Sequence, residues 1–409
     1  MIRSQIATIN LAMISLFIAI AIIAYPKEAL EASIRGLDIW WKSVFPALLP
    51  FFIVAELLIN FGVVRFIGVL LEPFMRPLFR VPGIGGFIWA MGMASGNPVG
   101  AKLSVRLRQD GQVTQLEGER LVAFTSCANP LFIFGAVSVG FFHNPALGII
   151  LASAHYSANI FVGLIMRFYG MNEKANTGQE DVSPSFSIKK AFREMHRTRI
   201  KNKKPFGKLL GDAVSGSVQT LLMVGGFIIL FSVLNRLLSV MHITDFLGTM
   251  IQFVFSLFFL PEPLSIPFIS GLFEMTIGSQ LVSELVEIPL LQQALVVSFM
   301  LAFGGFSIQA QVASILAQSD LRFFPFFIGR IFQGCFASLI TLVLWQPLYI
   351  ERLSHGKEVA PTFQSINGQT LDDWLEFTTN FGPVLTIGTI IVYTVIYAKR
   401  HFHPSKFSS

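Results

Sequence analysis

The sequence predicts an all-α polytopic membrane protein built from two inverted repeats with re-entrant helical hairpins. Three observations carry this: the composition, the length of the apolar runs, and an internal repeat. Of 409 residues, 53% are hydrophobic and 13% charged, about half the roughly 25% charge of an ordinary soluble domain. Phenylalanine is 42 residues against 6 Tyr and 5 Trp, more apolar surface than a water-facing shell absorbs. The apolar runs are long and continuous, so helices are implied rather than the short alternating strands of a membrane barrel. A soluble enzyme, a disordered chain and a disulfide scaffold are thereby excluded.

Cys127 and Cys335 lie within apolar runs, without metal or redox spacing, and read as buried small hydrophobes. The net charge of +6 is assigned to cytoplasmic loops; no nucleic-acid partner is expected.

Taken in order, residues 1–42 read as an uncleaved signal-anchor helix followed by an external amphipathic segment. The first run, Ile6 to Tyr25, is long enough to cross the hydrocarbon and lacks a clean cleavage site. A first repeat follows over 43–168, with apolar segments at about 43–62, 83–103, 121–142 and 145–168. Residues 169–208 read as a basic cytoplasmic loop; 167–208 hold eleven Lys/Arg against four acids. The second repeat spans 209–347, with segments at about 209–238, 243–260, 264–285, 289–317 and 323–347. An acidic external loop (348–377) and a C-terminal helix with a basic tail (378–409) complete the chain.

The repeat appears when 121–137 is laid on 296–312: Asn129-Pro130 then meets Gly304-Gly305. Upstream, 92–103 corresponds to 271–281, and downstream 145–168 to 323–347. An odd number of crossings per unit sets the halves in opposite orientation, as in inverted-repeat carriers. With the N-terminus inside, the basic loop then falls inside and the acidic loop outside. This topology requires that 64–80 and 243–260 do not fully cross.

Polar and helix-breaking residues within apolar segments are the candidate site. Ser95, Gly96, Asn97, Pro98 and Lys102 interrupt the 83–103 segment. Gly and Pro free backbone groups that hydrocarbon cannot satisfy, so two half-helices meeting inside the protein are expected, their N-terminal N–H groups facing a solute. A kinked helix packed on its neighbours, and a Lys102 reaching the interface, are the bland alternatives. Ser126, Asn129 and Pro130 break the next helix: Pro130 cannot donate to the carbonyl of Ser126. In the second half, Glu274, Thr276, Ser279 and Gln280 mark a hairpin tip, and Gly304, Gly305, Ser307 and Gln309 its broken partner. Symmetry suggests a Lys102–Glu274 ion pair. Glu284 and Glu287 read as solvated, and His155 and Arg330 as structural residues within helices. No nucleophile elbow or Walker loop occurs, so no enzymatic activity, cofactor or resident metal is expected. A coupling ion, H+ or Na+, is left open, as is a homo-oligomer.

The runs GMASGNPVGAKL (92–103), ERLVAFTSCANPLFIFGAVSVGFF (119–142) and GLFEMTIGSQ (271–280) resemble the sporulation integral membrane protein family YlbJ, also called SpoVV, over about residues 10 to 400. Its members carry tandem gate (nucleoside-recognition) domains, distantly similar to concentrative nucleoside transporters. The resemblance implies a role in spore formation: movement of dipicolinic acid from the mother cell across the outer forespore membrane. It leaves a nucleoside or other small-anion carrier, and a non-transporting membrane scaffold, as rivals.

Overall fold

A computed structural model of the chain describes residues 2–171, 188–201 and 204–351. The expected acidic loop from 352 onward, the helix at 378–398, the basic tail and the His401-x-His403 pair lie outside the described residues, as does 172–187 of the basic loop. Among the described residues all regular structure is helical.

The N-terminal α1 (Ile2–Ala24) and α2 (Pro26–Ile39) precede the first repeat. That repeat comprises α3 (Phe45–Asn60), α4 (Val63–Phe79), α5 (Ile84–Ser95), α6 (Val99–Gln109), α7 (Gln115–Thr125), a π-helical stretch (Leu131–Phe141) and α8 (Pro145–Met166). After α9 (Ile188–Lys201), the order recurs. It runs α10 (Phe206–Val240), α11 (Ile243–Leu257), α12 (Ser265–Phe273), α13 (Met275–Ser283), α14 (Leu290–Phe303), α15 (Gly305–Leu316) and α16 (Phe323–Trp345). The broken helices keep one register: Gln115 answers Leu290 and Phe141 answers Leu316, each 175 residues later. Even the turns before α4 and α11 agree, with left-handed residues at Gly62 and His242.

Pro145–Met166, Phe206–Val240, Leu290–Leu316 and Phe323–Ile350 are long and apolar enough to cross a bilayer. The pair Leu48–Asn60 and Val63–Phe79 bends by 80°, and Thr8–Ala24 with Pro26–Lys42 by 103°. At 15 residues, α11 rises only about 22 Å, short of the roughly 30 Å of hydrocarbon. The outward faces remain apolar: Phe332, Leu339, Leu342 and Val343 on α16 are exposed. Cys335 shares that face and is exposed rather than buried as expected, because it sits on the side of α16 turned away from α8 and α14.

The 169–208 loop holds a helix, α9, packed on α4. The segment after α1 is likewise ordered: α2 lays Ala29, Ala32 and Gly36 against α10, and the Ser232 hydroxyl donates to the Ala32 carbonyl at 2.9 Å.

The two halves meet through α8, α14 and α16, where Ala158, Ala302 and Ala337 form a small-residue seam of the kind that lets membrane helices approach closely. At the end bearing the α6–α7 and α15–α16 turns they are joined by polar contacts. Arg108 holds Asp320 with two hydrogen bonds of 2.8 and 2.6 Å. Buried Glu119 accepts from the Arg322 backbone and guanidinium at 2.9 Å and from the Tyr169 hydroxyl at 2.8 Å. These turns are the ones the charge distribution assigns to a single side of the membrane.

Candidate functional site

Each half contains a helix broken within an apolar run, and the breaks account for the site. In the first, Pro130 leaves backbone groups between Thr125 and Leu131 without helical partners. Side chains from other helices satisfy them. The Ala128 N–H donates to His155 Nε2 at 3.0 Å, and the Tyr156 hydroxyl donates to the Ala128 carbonyl at 3.0 Å. Buried Arg330 donates to the carbonyls of Ser126 and Ala123. Because an amide can only donate, His155 Nε2 is the unprotonated nitrogen. Asn129 restarts the helix, its Oδ1 accepting from the Phe132 N–H at 2.7 Å.

In the second half the break is made by glycine. Gly304 and Gly305 both have positive φ, +84° and +71°, a conformation costly for any side chain. The Gln309 amide donates to the Phe303 carbonyl at 2.9 Å.

A hairpin tip rests on each break. Gly96, between α5 and α6, packs against Asn129, whose Nδ2 donates to the Ser95 carbonyl at 3.0 Å. Gly305 packs against the α12–α13 tip: a Cβ there would lie 3.1 Å from the Gly271 carbonyl oxygen and 3.2 Å from the Met275 nitrogen. Gly305→Ala is therefore expected to destabilise the protein by about 1–3 kcal/mol, read as a lowered melting temperature in detergent; an unchanged value would mean the tip is not seated on the break. Glu274 caps α13, accepting from the Ile277 N–H at 3.0 Å and the Thr276 hydroxyl at 3.1 Å.

Both tips, the first break and the start of α15 just past the second break open onto one cavity of about 690 Å³, within the usual range for small-molecule sites. Of the residues singled out from sequence, Gly96, Asn97, Asn129, Glu274, Thr276 and Ser307 line it. Ser95, Pro98, Lys102, Ser126, Pro130, Ser279, Gln280, Gly304, Gly305 and Gln309 are not among its lining residues. Several of these shape the breaks from behind, while Gln280 is exposed beside Glu284, to which it donates at 3.2 Å. Glu287 is exposed as expected.

The symmetry-based Lys102–Glu274 pair does not form. Lys102 Nζ is buried without a hydrogen-bond partner, 4.7 Å from the centre of the Phe52 ring, because its position on α6 turns it towards α3 rather than the hairpin tip. Glu274 is held instead by the start of its own helix. Sequence reasoning left Lys42, Phe132 and Gln311 out of the candidate set, although all three line the cavity. Gln311 follows Ser307 by one helical turn, a spacing that could have included it; Lys42 and Phe132 carry no such signal. His155 and Arg330 fill the structural role expected of them, and what they support is the first break.

The Gate family, described as nucleoside recognition, matches residues 41–170 and 221–319, one block in each repeat. The chain is 53% identical over 399 residues to the sporulation integral membrane protein YlbJ of Bacillus subtilis (strain 168), covering 97% of both chains. No solved structure matches it. A broken helix under a hairpin tip in each half, a Gate match over each half and this near full-length identity lead to one conclusion: the chain belongs to the YlbJ family of sporulation integral membrane proteins, with Gate nucleoside-recognition domains.

Proposed function

We propose that the protein is a secondary transporter that moves dipicolinate, a planar aromatic dianion, from the mother cell across the outer forespore membrane, together with a cation. The observation that carries this is one cavity shared by both hairpin tips, the first break and the start of α15, the kind of arrangement on which alternating access operates. Helix starts at α6, α13 and α15 bring backbone N–H groups and positive dipole ends towards it. Asn97 and Gln311 add amides, and Phe132 and Phe141 supply ring faces for an aromatic solute. Lys42 is the cation on the cavity wall, paired with Asp38 at 2.9 Å.

Glu274 shapes the mechanism. A carboxylate sharing a cavity with a dianion is unfavourable unless a positive charge accompanies them. Binding of H+ or Na+ at Glu274 would neutralise it and permit the solute to enter, which couples the two movements. The same carboxylate favours a second reading, a neutral nucleoside-like solute, in keeping with the description of the Gate family.

Uptake of labelled dipicolinate into proteoliposomes, with imposed proton or sodium gradients, tests the proposal. Saturable uptake that unlabelled dipicolinate suppresses and uridine does not is expected. Suppression by uridine would favour the nucleoside reading. Uptake no greater than in protein-free liposomes would overturn both and leave a scaffold.

A further inference from the structure

The cavity does not use α9, and this helix has an unusual surface. It lies between residue 171 and the start of α10 and carries Lys189, Lys190, Arg193, Arg197, Arg199 and Lys201 against one acid, Glu194. One face is occupied: Ala191 is buried, and Met195 and Thr198 press on the turn at Gly62. At 100° per residue, Ile188 and Phe192 come next around the first turns of the helix, 52% and 54% exposed, with Arg199 on the same line two turns further on. Phe192 still reaches back to the Phe66 ring at 4.9 Å, edge to face. Beyond them the surface carries Lys189, Arg193 and Arg197, all exposed, with Ile200 among them near the helix end.

The height of α9 relative to the bilayer follows from its neighbours. Phe206 opens α10, whose 35 residues rise about 52 Å and so run past the roughly 30 Å of hydrocarbon. The Phe206 ring stacks on Phe61 at 6.2 Å. Phe61 belongs to the same α3–α4 turn against which α9 packs. The helix therefore sits beside the end of α10 that projects past the hydrocarbon, at headgroup level, with two apolar side chains of its first turns next to a cationic arc. Such a surface fits the boundary between acyl chains and anionic headgroups.

We propose that α9 is an interfacial helix that docks on anionic phospholipid of the adjoining leaflet, with Ile188 and Phe192 entering the acyl boundary and Lys189, Arg193 and Arg197 holding headgroup phosphates. Charge complementarity selects this occupant: the exposed arc is cationic, and the phospholipid phosphate is the anion available at that height. The proposal is independent of what the cavity carries.

The test is amide hydrogen exchange of the full-length protein in nanodiscs of phosphatidylglycerol mixed with phosphatidylcholine, and of phosphatidylcholine alone. Amides of α9 are expected to exchange about tenfold or more slowly in the anionic discs, while those of α16 are the same in both. The triple variant Lys189→Gln, Arg193→Gln, Arg197→Gln is expected to lose the difference, its substitutions lying away from the face packed on α4. Equal exchange of wild-type α9 in the two lipids would overturn the proposal, as would an undiminished lipid effect in the variant.

Discussion

Arg330→Leu is expected to cost the protein about 2–6 kcal/mol, from two buried carbonyls that each lose about 1–3 kcal/mol when their donor is removed. The carbonyls are those of Ser126 and Ala123, on either side of the point where α7 stops. Water cannot replace the guanidinium without entering the packed seam between α7, α8 and α16, where Gly329 rests on Ala123. Melting of the purified protein in detergent reads the loss directly. Arg330→Lys is expected to fall between wild type and Leu, since an ammonium is a point donor and lacks the planar fork that spans two acceptors. A leucine variant as stable as wild type would show that the break does not depend on this residue.

The second large effect is expected at Glu274. Glu274→Gln keeps an oxygen able to accept from the Ile277 N–H, so the cap on α13 survives and the loss of stability stays under about 1 kcal/mol. What it removes is the charge. On the proposed function, dipicolinate uptake is expected to lose its dependence on the imposed ion gradient, with the gradient-driven rate reduced at least about tenfold. The pairing of near-normal stability with lost coupling separates an ion-binding role from a purely structural one. Uptake that still follows the gradient in this variant would remove Glu274 from the coupling step.

Much of the architecture was legible because it rests on periodic features that survive without a structure. Asn129-Pro130 against Gly304-Gly305 set the register of the two broken helices, and Gly96-Asn97-Pro98 announced the first hairpin tip, since lipid does not tolerate unpaired backbone. The cavity lining was legible only where a residue itself breaks a helix or sits at a tip. Lys102 illustrates the limit. Its charge within an apolar segment was visible, but its direction was not: at the fourth position of α6 it faces Phe52 across the α3 packing surface. Pro130 showed that carbonyls would be orphaned without showing which helix would serve them. Arg330 lies 204 residues from Ser126, and only the fold brings the two together. Lys42 and Phe132 reach the cavity through the bend after α1 and the π-helical winding after Pro130, neither of which has a signature in composition.

The polar contacts joining the α6–α7 and α15–α16 turns tie the two halves together at one end. Arg108 and Asp320 are partly open to water, and the hydrogen bonds from Arg108 hold the Asp320 carboxyl below its usual range. That contribution is present above the ordinary carboxylate range and disappears only as pH falls through the lowered value, so this latch stays fastened throughout neutral conditions. Glu119 is the deeper bolt, its side chain wholly shielded beneath Arg322. On the proposed transport function, any step that parts the two halves at this end would have to break that contact and rehydrate the Glu119 carboxylate. On that proposal, dissolved salt, by screening the more exposed Arg108–Asp320 contact, is expected to ease the parting of this end at a distance from the cavity.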